Sequence, residues 1–270
     1  MITQSFETHK IEIHKIEHEL AEKFDLLFAY DERYTRFAPG GKLTDPHTLR
    51  SLVDAMCTGF GTDKRAVAAS LSIKHLSRAL CGILYAMSVL NRSLDGSLGN
   101  MELLLPPYKG VAPMLVDAAW TAPSPDTLEA REAWREQTCR SLFEGFLKPY
   151  FEAMSRTVKL SKQTMWENTV VYIHFFYKEW LKAAENETAR ERLADDYRYV
   201  TETAPGTVFG IKSGNPLSVK GRSIPHPVLQ SETLRIRQTC CLRLQLPDGS
   251  SCTTCPRISD DARSALLAHK

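Results

Sequence analysis

Four of the seven cysteines lie close together near the C-terminus, in the segment CCLRLQLPDGSSCTTC at residues 240–255. They form an adjacent pair, a ten-residue gap and a C-x-x-C motif. A single unligated cysteine is often just a small core residue. Four cysteines in this pattern indicate that their thiols bind one common centre. Neighbouring side chains diverge by about 180° on a strand and about 100° on a helix. The chain must therefore turn sharply at the adjacent pair if both thiols are to reach one centre.

The gap between the two cysteine pairs has a pattern of its own. Its LRLQL stretch alternates apolar and polar residues, which predicts a half-buried strand. The PDGS that follows supplies proline, aspartate and glycine for a tight turn. The sequence thus predicts a folded-back arm that returns Cys252 and Cys255 to the neighbourhood of Cys240 and Cys241.

The spacing of the cysteines distinguishes between the centres that they could form. Structural zinc usually takes two knuckles with two to four residues inside each, and here one pair has no intervening residue. A two-iron cluster distributes its thiolates over two metal ions and tolerates uneven spacing. The spacing favours an iron–sulfur cluster over zinc, and either metal centre over a pair of disulfides.

Composition places the chain among ordinary globular proteins. Its 270 residues are 43% hydrophobic and 24% charged, and the formal net charge is only +2. Nucleic-acid binding needs a concentrated basic face, so no nucleic-acid partner is expected. The N-terminus lacks the features of a secretory signal, and we identify no apolar run of membrane-spanning length. We therefore expect a soluble, cytoplasmic protein, in a reducing compartment where clustered cysteines hold metal more often than disulfides.

Hydrophobic periodicity predicts a helical body. Helices are expected over residues 10–30, after Asp45 and Pro46, over 63–90, from about 128 to 151, and from Ser161 onward. A short strand is expected at MELLL. The composition shifts after residue 200 to glycine, proline and loop. The predicted fold class is mainly α (α+β), with a helical body at 1–200 and a small C-terminal loop or β-hairpin lobe at 201–270 that holds the cluster.

The C-terminal lobe is locally basic. Seven lysines and arginines lie between residues 205 and 257, against two acidic residues. Such a face can steer an anionic ligand, or it can simply offset the negative charge of a thiolate cluster. The sequence leaves both interpretations open. Cys57, Cys81 and Cys139 fall on or beside apolar helix faces and are expected to be core thiols.

The pattern C-C-x10-C-x-x-C, followed by Pro256 and preceded by Arg235 and Arg237, resembles the C-terminal signature of the FhuF-like ferric siderophore reductases. A second segment, LSKQTMWENT at 160–169, is similar to the tryptophan and asparagine segment of that family. The first 150 residues resemble the family only in length and helical character.

The resemblance implies a [2Fe-2S] cluster that passes one electron to Fe(III) in an imported siderophore of the hydroxamate or citrate-hydroxamate type. The implied ligands are Cys240, Cys241, Cys252 and Cys255, with no catalytic residue beyond the cluster. The candidate substrate-binding residues are Trp166, Asn168, Arg222, Arg235 and Arg237. A tryptophan on a helix is more often a core residue than a ligand contact.

Neither a dinucleotide-binding fingerprint nor a Walker motif occurs in the chain. Electrons are therefore expected from a separate carrier such as a ferredoxin or flavodoxin, and peripheral contact with the inner face of the membrane is compatible with the sequence.

Two alternatives remain. One is a binding or sensor protein that holds zinc or a cluster without reductase activity. The other is a relative of siderophore synthetases, which the cysteine signature and the lack of a nucleotide-binding segment disfavour.

Overall fold

A computed structural model describes residues 2–117, 124–219, 221–229 and 232–268, with side chains from residue 12 onward. The helices are α1 (Ile2–Phe24), α2 (Pro46–Phe60), α3 (Arg65–Ser88), α4 (Leu128–Leu142), α5 (Lys148–Val158), α6 (Lys162–Lys182), α7 (Glu187–Arg198) and α8 (Asp260–Ala268). The strands are β1 (Thr35–Pro39), β2 (Met101–Leu105), β3 (Ala112–Leu115), β4 (Arg222–Pro225) and β5 (Thr233–Ile236). The predicted mainly α fold is confirmed, whereas the division at residue 200 stays a prediction.

Helix α3 lies at the centre of the molecule. It contacts α1, α2, α4, α5, α6 and α7, and also the short 3₁₀ turn Arg243–Gln245 inside the cysteine segment. A helix surrounded on all sides has no polar face, and most of α3 is indeed buried. Its many alanines and serines, together with Gly82, are small enough to let the neighbouring helices approach closely.

Local signals in the sequence set the helix boundaries. Asp45 caps α2 by accepting a hydrogen bond from the backbone N–H of Thr48 at 2.7 Å, and Pro46 occupies the first helical position. Gly61 ends α2 with φ at +62°, a left-handed conformation that suits glycine. Ser161 precedes α6 as predicted. The predicted helix over 128–151 forms as α4 and α5, joined by the π-helical turn Phe143–Leu147.

The strands form two small antiparallel sheets. One has the order β1–β2–β3, with a register shift between Arg36 and Ala38, and it confirms the strand predicted at MELLL. The other is the two-stranded hairpin β4–β5, in which Ser223 lies opposite Arg235. This hairpin leads directly into the cysteine segment.

Helix α3 is long and apolar enough to cross a membrane on length and composition alone, with a mean hydropathy of 1.2 over its best window. The expectation that the chain contains no apolar run of membrane-spanning length is therefore wrong. However, 83% of that window is buried inside the protein, which is the arrangement of a core helix.

A buried ion cluster joins α4 to α7. The carboxylate of Asp196 is fully buried and accepts two hydrogen bonds from Arg131, at 2.9 and 2.8 Å. It accepts a third from Arg135 at 3.1 Å, and Arg135 also bonds to Asp195 at 2.6 Å. A buried charge of this kind depends on its partners, because water cannot replace them.

We expect Asp196→Asn to lower the free energy of unfolding by about 3 kcal/mol, because the two buried guanidinium groups lose their shared countercharge. Chemical denaturation followed by circular dichroism measures the change. The matched control is Asp54→Asn, which breaks a half-exposed pair with Arg65 and is expected to cost less than about 1 kcal/mol. Equal losses in the two variants would contradict this role of Asp196.

Candidate iron–sulfur centre

The cysteine segment forms a closed loop at the end of the β4–β5 hairpin. Its two ends meet where the backbone N–H of Arg237 donates to the Thr254 carbonyl at 3.0 Å. A second backbone bond, from the N–H of Cys255 to the carbonyl of Cys252 at 3.0 Å, closes the C-x-x-C turn. The folded-back arm predicted from the sequence is therefore present.

The strand predicted for LRLQL is wrong. The adjacent cysteines are followed by Leu242 with φ at +65° and then by the 3₁₀ turn Arg243–Gln245. A left-handed residue ends an extended chain at once, and within the described residues no strand lies beside this segment to pair with it. The chain turns here because the side chains of two consecutive cysteines must reach the inside of the same loop. The alternation in LRLQL therefore lies in turns and not in a strand.

The loop brings the thiols of both cysteine pairs together. The thiols of Cys241 and Cys252 interact closely, and the thiol of Cys240 lies near those of Cys255 and Cys241. Cys241 and Cys255 are buried, whereas Cys240 and Cys252 are partly exposed. All four cysteines thus face one small region of the loop.

Each sulfur also has a hydrogen-bond donor from the protein. The backbone N–H of Leu242 donates to Cys240 Sγ at 3.3 Å, and that of Arg257 donates to Cys255 Sγ at 3.5 Å. The hydroxyl of Thr254 donates to Cys252 Sγ at 3.8 Å, and the backbone of Arg243 donates to Cys241. Such donors stabilise negatively charged sulfur and tune the potential of iron–sulfur clusters.

Positive charge favours the thiolate form of Cys241. The hydrogen bond from Cys252 holds the pKa of Cys241 well below its usual value, and the charges of Lys74 and Arg237 act in the same direction. The buried Nε–H of Arg237 has no hydrogen-bond partner among the described atoms. It lies 3.8 Å from the Glu167 carboxylate, with which Arg237 forms a buried ion pair.

Four cysteines in one loop are compatible with ligands that share a two-iron cluster. Across the described part of the chain, no three His, Cys, Asp or Glu side chains converge on a point where a single metal ion would sit. A single zinc needs its donors at about 2.0–2.3 Å from one centre. A [2Fe-2S] cluster spreads four cysteines over two irons, so its ligands need no common point.

The other three cysteines have a different environment. Cys81 and Cys139 are buried in the apolar core, where burial raises the pKa of each thiol. Both confirm the prediction of core thiols. Cys57 is partly exposed but packs against the core, and burial raises its pKa as well.

Glu167 of α6 holds the start of the cysteine loop. Its buried carboxylate accepts hydrogen bonds from the backbone N–H of Gln238 at 2.6 Å and of Thr239 at 2.7 Å, and another from the Thr239 hydroxyl. Those two residues immediately precede Cys240. One side chain thus satisfies the backbone donors that the turn leaves unpaired.

A second set of contacts connects the loop to α3. Arg237 donates to Asn168 Oδ1 at 2.5 Å, and the Asn168 amide donates to the carbonyl and hydroxyl oxygens of Ser70, both at 3.0 Å. The Ser70 hydroxyl then donates to the Cys241 carbonyl at 2.9 Å. These residues link α6, α3 and the adjacent cysteines through buried hydrogen bonds.

Three of the predicted substrate-binding residues lie away from solvent. Trp166 packs in an aromatic cluster with Phe143, Phe151 and Phe209 and is 5% exposed. Asn168 and Arg237 belong to the buried hydrogen-bond network. Asn168 and Arg237 thus support the cysteine loop, whereas Trp166 is a residue of the hydrophobic core.

The remaining two arginines lie on the hairpin. Arg222 is exposed and makes a bidentate ion pair with Asp260 of α8, at 2.8 and 2.9 Å. Arg235 lines a surface cleft and bonds to His174 of α6. Of the five predicted residues, Arg235 lines the outer part of this cleft, and Arg235 and the buried Arg237 line its inner recess. Lys220, part of the basic excess, lies outside the described residues.

The cleft has two connected parts. The outer part has a volume of about 690 Å³ and lies between α6, α7 and the hairpin. The inner recess, of about 170 Å³, shares His174, Lys178, Thr233 and Arg235 with it and ends at Thr254, between Cys252 and Cys255. Ligand sites typically have about 300–1,000 Å³, so the outer part alone is large enough for a small chelate.

Sequence reasoning missed Glu167, His174, Lys178 and Tyr197. A signal was present for the helix residues, because His174, Lys178 and Lys182 recur at four-residue spacing and share one face of α6. Tyr197 on α7 had no such signal. Its place in the cleft follows only from the packing of α7 against α6.

Four cysteines in one loop beside a helical body are an arrangement compatible with an iron–sulfur protein. The comparison with known families agrees. Residues 75–218 match the family model described as "Ferric iron reductase FhuF-like transporter", and residues 237–257 match the FhuF 2Fe-2S C-terminal domain. The chain belongs to the FhuF-like ferric iron reductase family and carries a [2Fe-2S] cluster. No curated protein matches the chain.

The second match contains all four clustered cysteines. That Cys240, Cys241, Cys252 and Cys255 are the ligands stays a prediction, and the donor set described above is consistent with it.

We expect Glu167→Gln to loosen the cysteine loop, because the amide replaces one accepting oxygen with a donor that faces a backbone N–H. Iron and sulfide content per chain should fall after purification, and the thermal midpoint of unfolding should drop by several degrees. The control is Glu179→Gln, on the exposed side of the same helix and paired only with Lys182. An unchanged iron content in Glu167→Gln would contradict this role.

Proposed function

We propose that this protein reduces Fe(III) held in an imported siderophore and releases it as Fe(II). Membership in a ferric iron reductase family supports iron reduction in general terms. The observation that carries the finer proposal is the basic cleft, whose inner recess ends at Thr254 between two of the four cysteines. A substrate in this cleft would lie next to the cluster loop.

The chemistry needs one electron and no protein nucleophile. Fe(III) is a hard ion that oxygen ligands hold very tightly, whereas Fe(II) is held more weakly, so reduction releases the metal. The same tight binding gives ferric siderophores low potentials. When bound, a [2Fe-2S] cluster supplies one-electron transfer, at about −400 mV in plant-type examples.

The residues of the chain have three tasks in this proposal. Glu167 and the Asn168 network hold the cysteine loop against α6 and α3. The cleft between α6, α7 and the hairpin holds the ferric complex. Thr254 lines the recess and donates to Cys252 Sγ at 3.8 Å, so the recess lies next to the cluster loop.

In this proposal, both predicted parts of the chain contribute a wall of the cleft. Residues 1–200 supply the helical wall with His174, Lys178 and Tyr197, and residues 201–270 supply the hairpin wall and the cluster loop. The siderophore type we propose is hydroxamate or citrate-hydroxamate. A ferredoxin or flavodoxin would provide the electron, and we propose a cytoplasmic location with peripheral contact to the inner membrane.

Anaerobic purification followed by visible absorption, EPR spectroscopy and iron and sulfide analysis tests the proposal. We expect two irons and two sulfides per chain. After dithionite reduction, an EPR signal should disappear when a ferric citrate-hydroxamate is added, while a ferrous-specific chelator gains its colour. A colourless protein with one zinc per chain would overturn the proposal, and a cluster that no ferric chelate oxidises would favour the sensor alternative.

The variant Cys252→Ser should lose most of its iron, its sulfide and its ferric reduction, because a hydroxyl is a poor ligand for this cluster. Cys57→Ser is the matched control, since Cys57 is a partly exposed thiol outside the loop. It should retain all three. Full iron and sulfide content in Cys252→Ser would contradict the ligand assignment.

A further inference from the structure

Three side chains from three elements form a hydrogen-bonded chain in the wall of the cleft. Arg235 on β5 bonds through Nη1 to His174 Nε2 at 2.7 Å. His174 on α6 bonds through Nδ1 to the Tyr197 hydroxyl on α7, also at 2.7 Å. All three residues line the outer cleft. Neither the cluster nor the support of its loop uses them.

The donor and the acceptor in each of these two hydrogen bonds follow from the chemistry of the groups. A guanidinium only donates hydrogen bonds, so His174 Nε2 must accept from Arg235 and carry no proton. The neutral imidazole then has its proton on Nδ1, which donates to the Tyr197 oxygen. Burial and the Arg235 charge hold the pKa of His174 at about 4, so the ring is neutral near pH 7.

The Tyr197 hydroxyl proton is consequently directed away from His174. Its oxygen already accepts from Nδ1, and its own O–H remains available as a donor. The ring is held in place by an edge contact with His174 at 5.7 Å between centroids and by packing against Tyr177 at 5.3 Å. A half-buried hydroxyl in a cleft wall is thus fixed as a donor.

The charge of Arg235 is not balanced locally. The cleft lysines Lys178 and Lys182 both pair with Glu232, and Arg190 pairs with Glu187. For Arg235, the described residues provide no carboxylate within ion-pairing distance; its recorded polar partner is the neutral His174. The cleft therefore contains a partly buried positive charge beside a fixed hydroxyl donor.

We propose that Arg235 and Tyr197 bind an anionic oxygen of the ferric chelate, and that His174 is the positioning residue that sets the Tyr197 donor. This inference rests on the proposed function and adds to it a preference for anionic chelates. A guanidinium and a hydroxyl donor recognise carboxylate and similar oxyanions. The preferred substrates are ferric chelates with anionic oxygens at their periphery, and chelates with a peripheral ammonium group are disfavoured by Arg235.

Redox-inert gallium(III) complexes test the binding step separately from reduction. Titration calorimetry on the oxidised holoprotein compares the anionic gallium complex of a citrate dihydroxamate with the gallium complex of a linear trihydroxamate that carries an ammonium group. The wild-type protein should bind the anionic complex at least tenfold more tightly. Equal affinities, or tighter binding of the ammonium-bearing complex, would overturn the inference.

Variants assign the individual roles. Tyr197→Phe should weaken binding of the anionic complex by about tenfold, the scale of one hydrogen bond to a charged group, and Arg235→Gln should weaken it further and abolish the preference. Tyr85→Phe is the matched control, because its hydroxyl bonds to Glu19 outside the cleft. It should bind like the wild type. Wild-type affinity in Tyr197→Phe or Arg235→Gln would overturn the inference.

The positioning role of His174 needs a readout that a purely structural role would not give. The amide of His174→Asn places an N–H near the position of Nδ1, so this variant should retain more affinity for the anionic complex than His174→Leu. Equal losses in both would overturn the positioning role. Gallium binding with these effects but without reduction of the ferric complex would instead refute the proposed function and leave the anion site standing.

Discussion

The whole site depends on one buried carboxylate, that of Glu167. A loop that turns sharply enough to point two adjacent cysteines inward cannot pair its own backbone donors in a sheet or helix. Glu167 accepts two of those donors and a hydroxyl from the residues just before Cys240. Because the carboxylate is itself nearly inaccessible to water, these bonds have no aqueous competitor. The loop geometry is thereby tied to α6, the helix that also packs most extensively against α3.

Helix α6 also links the cluster loop to the cleft. Glu167 and Asn168 hold the loop at one end of the helix, while His174 and Lys178 line the cleft one to three turns further along. The cleft, its inner recess and the cysteine loop are therefore positioned by the same rigid element. A ferric chelate held by the cleft would keep a fixed distance from the loop, which suits electron transfer because its rate falls steeply with distance. The buried charge cluster around Asp196 serves the same end by fixing α7, and with it Tyr197, to α4.

Sequence patterns succeeded where local physical chemistry decides the outcome. The cap at Asp45, the start of α6 at Ser161, the buried thiols Cys81 and Cys139 and the folded-back cysteine arm were all predictable. The LRLQL strand was not, because its alternation was outweighed by the turn that adjacent ligands require, made through Leu242 at positive φ. The burial of Asn168 and Arg237 was equally hidden, since a polar side chain carries no mark of which neighbour will cover it.

The sequence by itself determined the fold class and pointed to the cofactor. Hydrophobic periodicity is a local property from which the helical body follows directly, whereas cysteine spacing only favoured an iron–sulfur cluster and the family match identified it as [2Fe-2S]. Only the tertiary structure decided which charges meet. Arg235, His174 and Tyr197 are far apart in the chain, and their hydrogen-bonded order exists only because the hairpin and α7 pack on either side of α6. The same packing separates the two arginines, since it buries Arg237 in the loop and leaves Arg235 in the cleft with no carboxylate partner among the described residues.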